Sequence, residues 1–363
     1  MPWSRRLRRL HPTDAIMGLV GLAVVSAVLY GSWVTLTSGK YGGADWFSFA
    51  VDGLTQGSIY ALIALGYTLV YGILRMINFA HGEIFTAGAM TTFYFAIWMD
   101  GKGWLSAERL MSAAGLRVLG VIVLLITISA LVSTVVAVLL ERIAYRPLRG
   151  APRLIPLITA IGASFFLQYT LRGLYGSGIR AYPDVKMLKQ QIVFGAGYSI
   201  ALRQLVVMGA ALALMLALVA FVQGTRTGMA MRAVAEDKQA AALMGIDVDR
   251  TIAMTFAVGG AMAGAAGVLY ALMFRQTQFF MGFIPGLKAF TAAVLGGIGN
   301  IPGAMLGGLF LGLAESIGPF LFLDGLGIAS PNQLKDAIAF TMLVLVLIFR
   351  PTGILGERVT KRA

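Results

Sequence analysis

The sequence predicts an all-α, polytopic membrane helix bundle of about ten spans, some of them short or broken. Of its 363 residues, 58% are apolar and only 12% are charged. A soluble domain of this length carries about a quarter charged residues. Here, runs of about twenty residues contain almost no charge, and such a run is long enough to cross the hydrocarbon core of a bilayer. The composition therefore excludes a soluble globular protein.

Counts of single residue types exclude most enzymatic chemistry. The chain has no cysteine, which excludes a disulfide framework, a thiolate zinc site, an iron–sulfur cluster and a cysteine nucleophile. Its two histidines are His11 and His81, too few for a metal site built mainly on imidazoles. No P-loop occurs, because neither Gly-Lys pair is followed by serine or threonine: Tyr41 follows Gly39-Lys40, and Gly103 follows Gly101-Lys102. We predict no catalytic residue, no metal and no bound ATP in this chain.

The formal net charge of +13 indicates a membrane surface as the partner rather than nucleic acid. In a polytopic protein, an excess of lysine and arginine marks cytoplasmic loops beside anionic lipid. We therefore expect contact with membrane lipid and no nucleic-acid binding.

The first predicted span covers about residues 15–36. It follows Arg5, Arg6, Arg8 and Arg9. The apolar run is too long for a signal peptide and lacks a convincing cleavage site, so we expect a retained span with a cytoplasmic N-terminus. Residues 1–44 form this N-terminal unit.

Nine further spans are predicted within a permease domain of residues 45–353, before a basic tail of residues 354–363. Most of the 29 lysines and arginines then fall on the inner side, which also places the C-terminus in the cytoplasm. The basic loop 175–202 is the misfit, since it lies on the predicted outer face. The predicted spans are 47–74, 78–98, 118–140, 154–174, 203–223, 252–273, 286–299, 303–323 and 335–350.

The run from Pro285 to Leu313 does not resemble a simple span. A Gly-rich interruption at 300–303 splits it, and the first piece is too short to cross a core of about 30 Å comfortably. We expect a half-helix or re-entrant segment, a structure that survives at membrane depth only where protein buries it or a cavity borders it. Asn300 at the break is a candidate for the substrate pathway.

Glycines spaced four apart predict close helix packing, either within this chain or against another subunit. Such spacing lets two backbones approach, because lipid supplies no hydrophobic drive for helices to associate. The pairs are Gly53/Gly57, Gly260/Gly264, Gly303/Gly307 and Gly308/Gly312.

Polar groups at membrane depth are the candidates for the substrate pathway. Asn78, His81 and Glu83 open an apolar run, where they either cap and pack a helix or face a transport path. Glu315 and Lys288 are isolated charges of opposite sign. They either pair with each other, or Lys288 snorkels to the outer surface.

Residues 224–251 form the most informative segment between spans. From 229 to 244 the composition favours a helix outside the membrane, and Gly245 is a C-terminal stop. Such a helix either packs under its own bundle or couples the bundle to a partner.

Five motifs along the chain belong together. One lies in the segment 224–251 and consists of Glu236, Asp237, Ala240, Ala241 and Gly245. The other four are Arg75-Met76-Ile77-Asn78-Phe79-Ala80-His81-Gly82-Glu83, Tyr145-Arg146-Pro147-Leu148-Arg149, Leu157-Ile158-Thr159-Ala160-Ile161-Gly162 and Ala293-Val294-Leu295-Gly296-Gly297-Ile298-Gly299-Asn300. Together they resemble one family, the first permease subunit of branched-chain amino-acid ABC importers, in which the first motif is the cytoplasmic loop that engages the ATPases. The resemblance covers about residues 52–353.

The resemblance implies an ATP-driven importer in the bacterial cytoplasmic (inner) membrane, of which this chain is one half of the pore. Its partners would be a second related permease, two ABC ATPase subunits that bind ATP and Mg, and an extracytoplasmic binding protein that delivers substrate. Branched-chain or other hydrophobic amino acids are the expected cargo. Urea and short-chain amide importers resemble the same family, so they remain the alternative.

Two other classes compete less well. An ion-coupled secondary carrier needs paired intramembrane carboxylates, for which Glu83 and Glu315 are the only candidates. An intramembrane enzyme needs an activated nucleophile, and the sequence has no G-x-S-x-G motif and no convincing aspartate pair.

Overall fold

The computed structural model describes residues 12–107, 110, 112–152, 154–195, 197–350 and 352–356. The predicted basic residues Arg5, Arg6, Arg8 and Arg9 lie outside this range, as does most of the predicted tail. The helices are α1 (Pro12–Ser38), α2 (Gly43–Leu74), α3 (His81–Gly101), α4 (Ala113–Leu140), α5 (Leu154–Tyr175), α6 (Leu202–Gly224), α7 (Arg226–Glu236), α8 (Lys238–Leu243), α9 (Val248–Phe274), α10 (Phe283–Gly296), α11 (Ile301–Gly318) and α12 (Lys335–Phe349).

The all-α prediction is confirmed. Within the described residues, eight helical stretches are long and apolar enough to cross a membrane. Two more helices fall at predicted spans: α3, whose first turn is polar, and α10, which has only 14 residues. At 1.5 Å per residue α10 is about 21 Å long, short of a hydrocarbon core of about 30 Å. The short helix expected before the glycine-rich break is therefore present.

Helix α2 is the centre of the bundle, and α11 packs along it on a seam of small residues. A β-carbon placed on Gly312 would lie 2.3 Å from the backbone nitrogen of Gly57, and one on Gly308 would lie 2.5 Å from Cα of Ala61. Side chains from Ile59 to Leu65 on α2 are almost completely buried. The glycine pairs in this seam therefore join helices of the same chain.

Helices α4 and α9 form a second seam in which hydroxyl groups face glycine. The side chain of Ser129 donates to the carbonyl of Gly264 at 2.6 Å, and that of Ser133 donates to Ile84 of α3 at 2.8 Å. A β-carbon on Gly260 would lie 2.8 Å from the carbonyl oxygen of Ser133. Because lipid gives no hydrophobic drive for association, close approach and interhelical hydrogen bonds hold these helices together.

The loop between α5 and α6 is folded and lies at the end of the bundle away from α7 and α8. It contains β1 (Arg180–Ala181), which pairs with β4 (Gln276–Thr277), and a hairpin of β2 (Gln191–Gly195) and β3 (Tyr198–Ala201). Its Asp184 pairs with Arg275 after α9. The basic loop that fitted the charge pattern poorly thus shares an end of the molecule with the α9–α10 connection, as predicted.

Helix α1 is peripheral. It rests on the π-helical turn Pro319–Leu323 and the residues after it, where a β-carbon on Gly31 would lie 2.2 Å from the carbonyl oxygen of Phe322. Lys40, just after α1, pairs with Asp324 at 2.8 Å. The apolar side chains of α1 otherwise point outward, and Trp33 is 70% exposed. Helix α1, the first predicted span, therefore packs on the outside of the bundle.

The glycine-rich break between α10 and α11 is a capped turn. Gly297 and Gly299 have φ of 106° and 97°, values that favour glycine. The Oδ1 atom of Asn300 accepts the backbone N–H of Gly303 at 2.9 Å and caps α11, while Nδ2 donates to the carbonyl of Leu355. Residue Ile354 also donates to Leu295 at 2.8 Å. Residues just after the predicted domain boundary at 353 thus hydrogen-bond to the bundle.

Candidate functional site

The segment after α6 folds into two short helices, not the single helix predicted for residues 229–244. The hydroxyl of Thr225 accepts the N–H of Gly228 at 3.0 Å and starts α7. A β-carbon on Gly228 would lie 2.3 Å from the carbonyl oxygen of Val222, so the chain turns sharply as it leaves α6. Met231 and Val234 bury one side of α7 against the bundle. We call residues 225–247 the coupling segment.

Asp237 is the reason for the split. Its backbone is extended, with φ of −149° and ψ of 114°, and its Oδ1 accepts the N–H groups of Gln239 and Ala240 at 2.8 and 3.0 Å. A side chain that caps a helix start favours this geometry over a continuing helix. The predicted single helix is wrong because the alanine-rich composition concealed an N-cap.

The tip of the coupling segment carries the two most exposed large apolar side chains of the described residues. Leu243 is 89% exposed and Met244 is 82% exposed, and both lie outside the spanning helices. Gly245 follows with φ of 84° and ends the short helix. Large apolar side chains exposed outside the spanning helices are candidates for an interaction surface.

The predicted coupling residues divide between two faces of this segment. Glu236, Asp237, Ala240 and Gly245 are exposed, whereas Ala241 is 4% exposed and packs in the apolar core of the bundle. Position 241 thus anchors the segment, and the exposed positions are free to meet a partner.

A cationic cavity of about 350 Å³ lies between the coupling segment and the ends of α2 and α5. Arg75, Arg149 and Lys238 border it. Arg149 forms ion pairs with Glu141 and Asp249. Burial, together with the charges of Arg149 and Arg75, lowers the pKa of Lys238 below its usual value. The Arg75 guanidinium donates to the carbonyl of Ala235 at 3.2 Å, which ties this corner to α7.

The polar run before α3 re-enters the bundle. Arg75 ends α2 in the left-handed region, with φ of 57°. His81, the first residue of α3, then packs against Gly66. A β-carbon on Gly66 would lie 2.3 Å from Nε2 of His81. Gly66 lies eight residues before the end of α2, so α3 begins about 12 Å inside that end. Irregular backbone at this depth is covered by protein, as membrane burial requires.

Asn78 does not occupy the N-cap position predicted for it. The cap position is Ala80, and Oδ1 of Asn78 instead accepts the N–H of Ala80 at 3.1 Å and the hydroxyl of Tyr145 at 2.6 Å. The ring of His81 packs edge-on against Tyr67, with centroids 4.7 Å apart. Glu83 is completely buried in the first turn of α3, where the helix dipole favours a carboxylate. The side chains of Asn78 and His81 are therefore packed inside the bundle, and the N-cap residue of α3 makes no side-chain capping hydrogen bond.

Two helix N-termini meet at this depth. A β-carbon on Gly282, which precedes α10, would lie 1.9 Å from the carbonyl oxygen of Gly82 in α3. Transporters with interrupted helices place substrate near such junctions, where half-helix N-termini point at a common point. The N-terminal ends of α3 and α10 are therefore in direct backbone contact inside the bundle.

The two isolated charges form a buried pair rather than separating. Nζ of Lys288 lies 3.0 Å from the Glu315 carboxylate and 2.7 Å from Oδ1 of Asp336 in α12. The hydroxyl of Tyr60 donates to Glu315 at 3.0 Å. Lys288 is 3% exposed, so it does not snorkel. Four helices, α2, α10, α11 and α12, meet at this cluster.

Sequence reasoning missed several residues of these sites. Tyr60, Tyr145 and Asp336 reach their partners only through the fold. Leu243 and Met244 look like ordinary helix formers, and the available signal was their position between two spans, where lipid cannot cover them.

The fold is that of a polytopic membrane protein, a bundle of apolar helices in which α3 and α10 begin next to each other inside the bundle. Residues 49–347 match the family described as branched-chain amino acid transport system / permease component. The chain belongs to this family of permease components. The match begins after α1, so the extra span and the N-terminal tail lie outside it.

Curated relatives agree with this assignment. The chain is 45% identical over 311 residues, 85% of its length and 94% of the relative's, to the high-affinity branched-chain amino acid transport system permease protein BraD of Pseudomonas aeruginosa. It is 45% identical over 314 residues, 84% and 94% respectively, to LivH of Escherichia coli K12, which has the same description. The ribose import permease protein RbsC of Escherichia coli is 26% identical over 301 residues, 81% and 83% respectively. No solved structure matches the chain.

Proposed function

We propose that this chain is a pore-forming subunit of an ATP-driven importer for branched-chain or other hydrophobic amino acids. The observation that carries the proposal is the structure of the coupling segment. It consists of two short helices outside the spans, and Leu243 and Met244 are exposed at its tip. An apolar tip on a well-anchored segment is suited to insertion into a groove of a soluble partner. Family membership supports two ABC ATPase subunits as that partner.

The anchoring of the segment is suited to transmission of movement. Met231, Val234 and Ala241 are buried against the bundle, and Arg75 hydrogen-bonds to Ala235. A partner that pulls on the tip would act on α2 and the re-entrant start of α3. ATP hydrolysis on the partner would then be coupled to the ends of α3 and α10 inside the bundle.

The remaining partners follow from the same assignment. A second, related permease would complete the pore, and an extracytoplasmic binding protein would deliver substrate at the end that bears β1 to β4. The coupling segment and both termini would face the cytoplasm of a bacterial inner membrane. Asn78, His81, Glu83, Asn300 and Glu315 stay our candidates for the substrate pathway, with Asn300 acting through the turn that it caps.

Affinity purification of the intact complex from its native membrane tests the proposal. We expect two ATPase subunits, a sister permease and a binding protein to purify with this chain. After reconstitution, we expect ATP-dependent uptake of leucine. The solute held by the binding protein separates an amino-acid importer from a urea or amide importer. Uptake that persists without ATP and collapses with an ion gradient would refute the proposal.

A further inference from the structure

A second cavity, of about 210 Å³, lies at the end of the bundle opposite the coupling segment, between α2, α9, α10 and α12. One part of its wall is charged, with Lys288, Lys335 and Asp336. Another part is apolar, with Met281, Ile284 and Pro285 among its members. We call it the charged vestibule. A small site with a charged end and an apolar end favours an amphipathic ligand.

Lys288 at the floor of the vestibule has more than one anionic partner. Its ammonium group reaches Glu315 at 3.0 Å, Asp336 at 2.7 Å and the Tyr60 hydroxyl at 3.4 Å. Glu315 is fixed from behind by Tyr60 and is 1% exposed. The buried ammonium therefore keeps a carboxylate partner even when Asp336 moves away.

Asp336 is the exposed member of the cluster. Its side chain is 46% exposed, in contrast to the buried side chains of Lys288 and Glu315. It lies in the first turn of α12, where the helix dipole favours its charge in the absence of a cation. Rotation of this side chain would free one N–H of Lys288 and both oxygens of Asp336.

We propose that the charged vestibule binds a zwitterionic α-amino acid with an apolar side chain. The ligand's carboxylate accepts from Lys288, its ammonium group donates to Asp336, and its side chain contacts the wall at Met281, Ile284 and Pro285. The inference rests on the proposed function, and it names the place where substrate enters this subunit.

Charge balance favours a zwitterion over a singly charged ligand. The vestibule and its floor contain two ammonium groups, on Lys288 and Lys335, and two carboxylates, on Asp336 and Glu315. A neutral zwitterion replaces the Lys288–Asp336 pair by two new pairs and leaves the net charge unchanged. An amine or a carboxylic acid alone would add one net charge to this cluster, whereas a zwitterion adds none.

A single cysteine at the rim makes occupancy measurable, because the chain has none of its own. Gln278→Cys places a thiol in the lining of the vestibule. The complete transporter with this variant, in nanodiscs and without binding protein, is treated with a small thiol reagent, and labelling of this subunit is followed. We expect millimolar leucine to slow labelling, and expect isoamylamine and 4-methylpentanoate, which lack its carboxylate and its ammonium group, to have little effect.

Asp336→Asn in the same background tests the ammonium partner. Loss of one charge-assisted hydrogen bond should weaken protection by leucine about tenfold or more, with unchanged labelling in the absence of leucine. Lys335→Gln is a second variant on the same wall, with a smaller expected weakening. Asp324→Asn is the matched control, since Asp324 lies at the same end but pairs with Lys40 outside the vestibule. It should leave protection unchanged.

Three results would overturn the proposal: no protection by leucine, equal protection by 4-methylpentanoate, or full protection in Asp336→Asn. If any of these occurs while ATP-driven leucine uptake with binding protein is intact, the vestibule site fails and the importer assignment stands. Loss of all ATP-driven uptake from the unmodified complex would instead contradict the importer assignment.

Discussion

The coupling segment and the charged vestibule differ in which side chains they expose and which they bury. At the coupling segment, apolar Leu243 and Met244 are exposed. In the vestibule, charged Lys288 and Glu315 are buried together at membrane depth. Each arrangement is costly for an isolated chain, because exposed apolar surface and buried charge both oppose folding unless a contact compensates them. The contrast fits the two proposals, a protein partner at the coupling segment and an amino acid in the vestibule.

The largest expected effect is at the coupling tip. The double substitution Leu243→Asp and Met244→Asp places charge where we propose an apolar contact, so the ATPase subunits should leave the purified complex and ATP-driven uptake should be lost. Subunit composition after size-exclusion chromatography measures this. Lys102→Asp, an exposed charge change after α3 at the opposite end, is the control and should retain the full complex. Retention of both ATPases by the double variant would show that the tip is not the contact.

The backbone of the same segment sharpens this comparison. Gly245 has a left-handed φ of 84°, and no other group of the residues that the structure describes lies within 4 Å of its would-be β-carbon. Gly245→Trp should therefore strain the turn without a clash inside the bundle and weaken ATPase binding, as should the charge reversal Glu236→Lys. Asp237→Asn, which keeps the helix cap, should have a smaller effect than Asp237→Ala. Substrate-stimulated ATP turnover that is unchanged in all of these variants would remove the segment from coupling.

Core packing should respond through stability rather than coupling. Gly312→Leu introduces a side chain where even a β-carbon would lie 2.3 Å from the Gly57 nitrogen, so it should separate α2 from α11 and cost about 3 kcal/mol or more. Thermal unfolding in detergent is the measurement. Gly120→Ala, with open space around the new methyl group, should unfold at a temperature equal to or slightly above that of the unmodified protein, because alanine favours the helix. Equal unfolding temperatures for both variants would contradict the seam.

The buried ion cluster predicts a moderate effect on transport. Glu315→Gln should leave assembly intact, because Lys288 retains Asp336 at 2.7 Å, but it should slow uptake several-fold. Initial rates of leucine uptake by proteoliposomes measure this, with Asp324→Asn as the control. An unchanged rate would exclude Glu315 from the transport cycle.

The smallest effect is expected at the re-entrant segment. Tyr145→Phe removes the hydroxyl that donates to Asn78 at 2.6 Å, a loss of about 1 kcal/mol of stability. A small fall in unfolding temperature is the expected readout. Tyr169→Phe, at a 58% exposed position on α5, should cause no fall. If Tyr145→Phe abolishes uptake without loss of stability, this segment acts in transport rather than in packing.

Features set by local sequence were predictable from it. Long apolar runs give the spans, and glycines spaced four apart give the seam between α2 and α11. The break between α10 and α11 also follows from the glycines before Asn300 and from Pro302 after it. Local composition was insufficient at residue 237, where alanines around Asp237 favour a helix although its side chain caps a new one.

Contacts between distant residues were not predictable. Asp336 completes the Lys288 cluster from 48 residues away, and Tyr145 meets Asn78 from 67 residues away. Nothing in a single sequence links these pairs, because each depends on how whole helices cross. The same holds for Ala241, whose inward position follows from the turn at Asp237.

The most direct test of the central claim uses a single cysteine at the coupling tip. In Met244→Cys, the only thiol of this chain is at an 82% exposed position. A membrane-impermeant maleimide is applied to inside-out and right-side-out vesicles, with and without the ATPase subunits. We predict labelling only from the cytoplasmic side, and protection when the ATPases are bound. Labelling from the external side, or labelling at the same rate with the ATPases in place, would contradict the account.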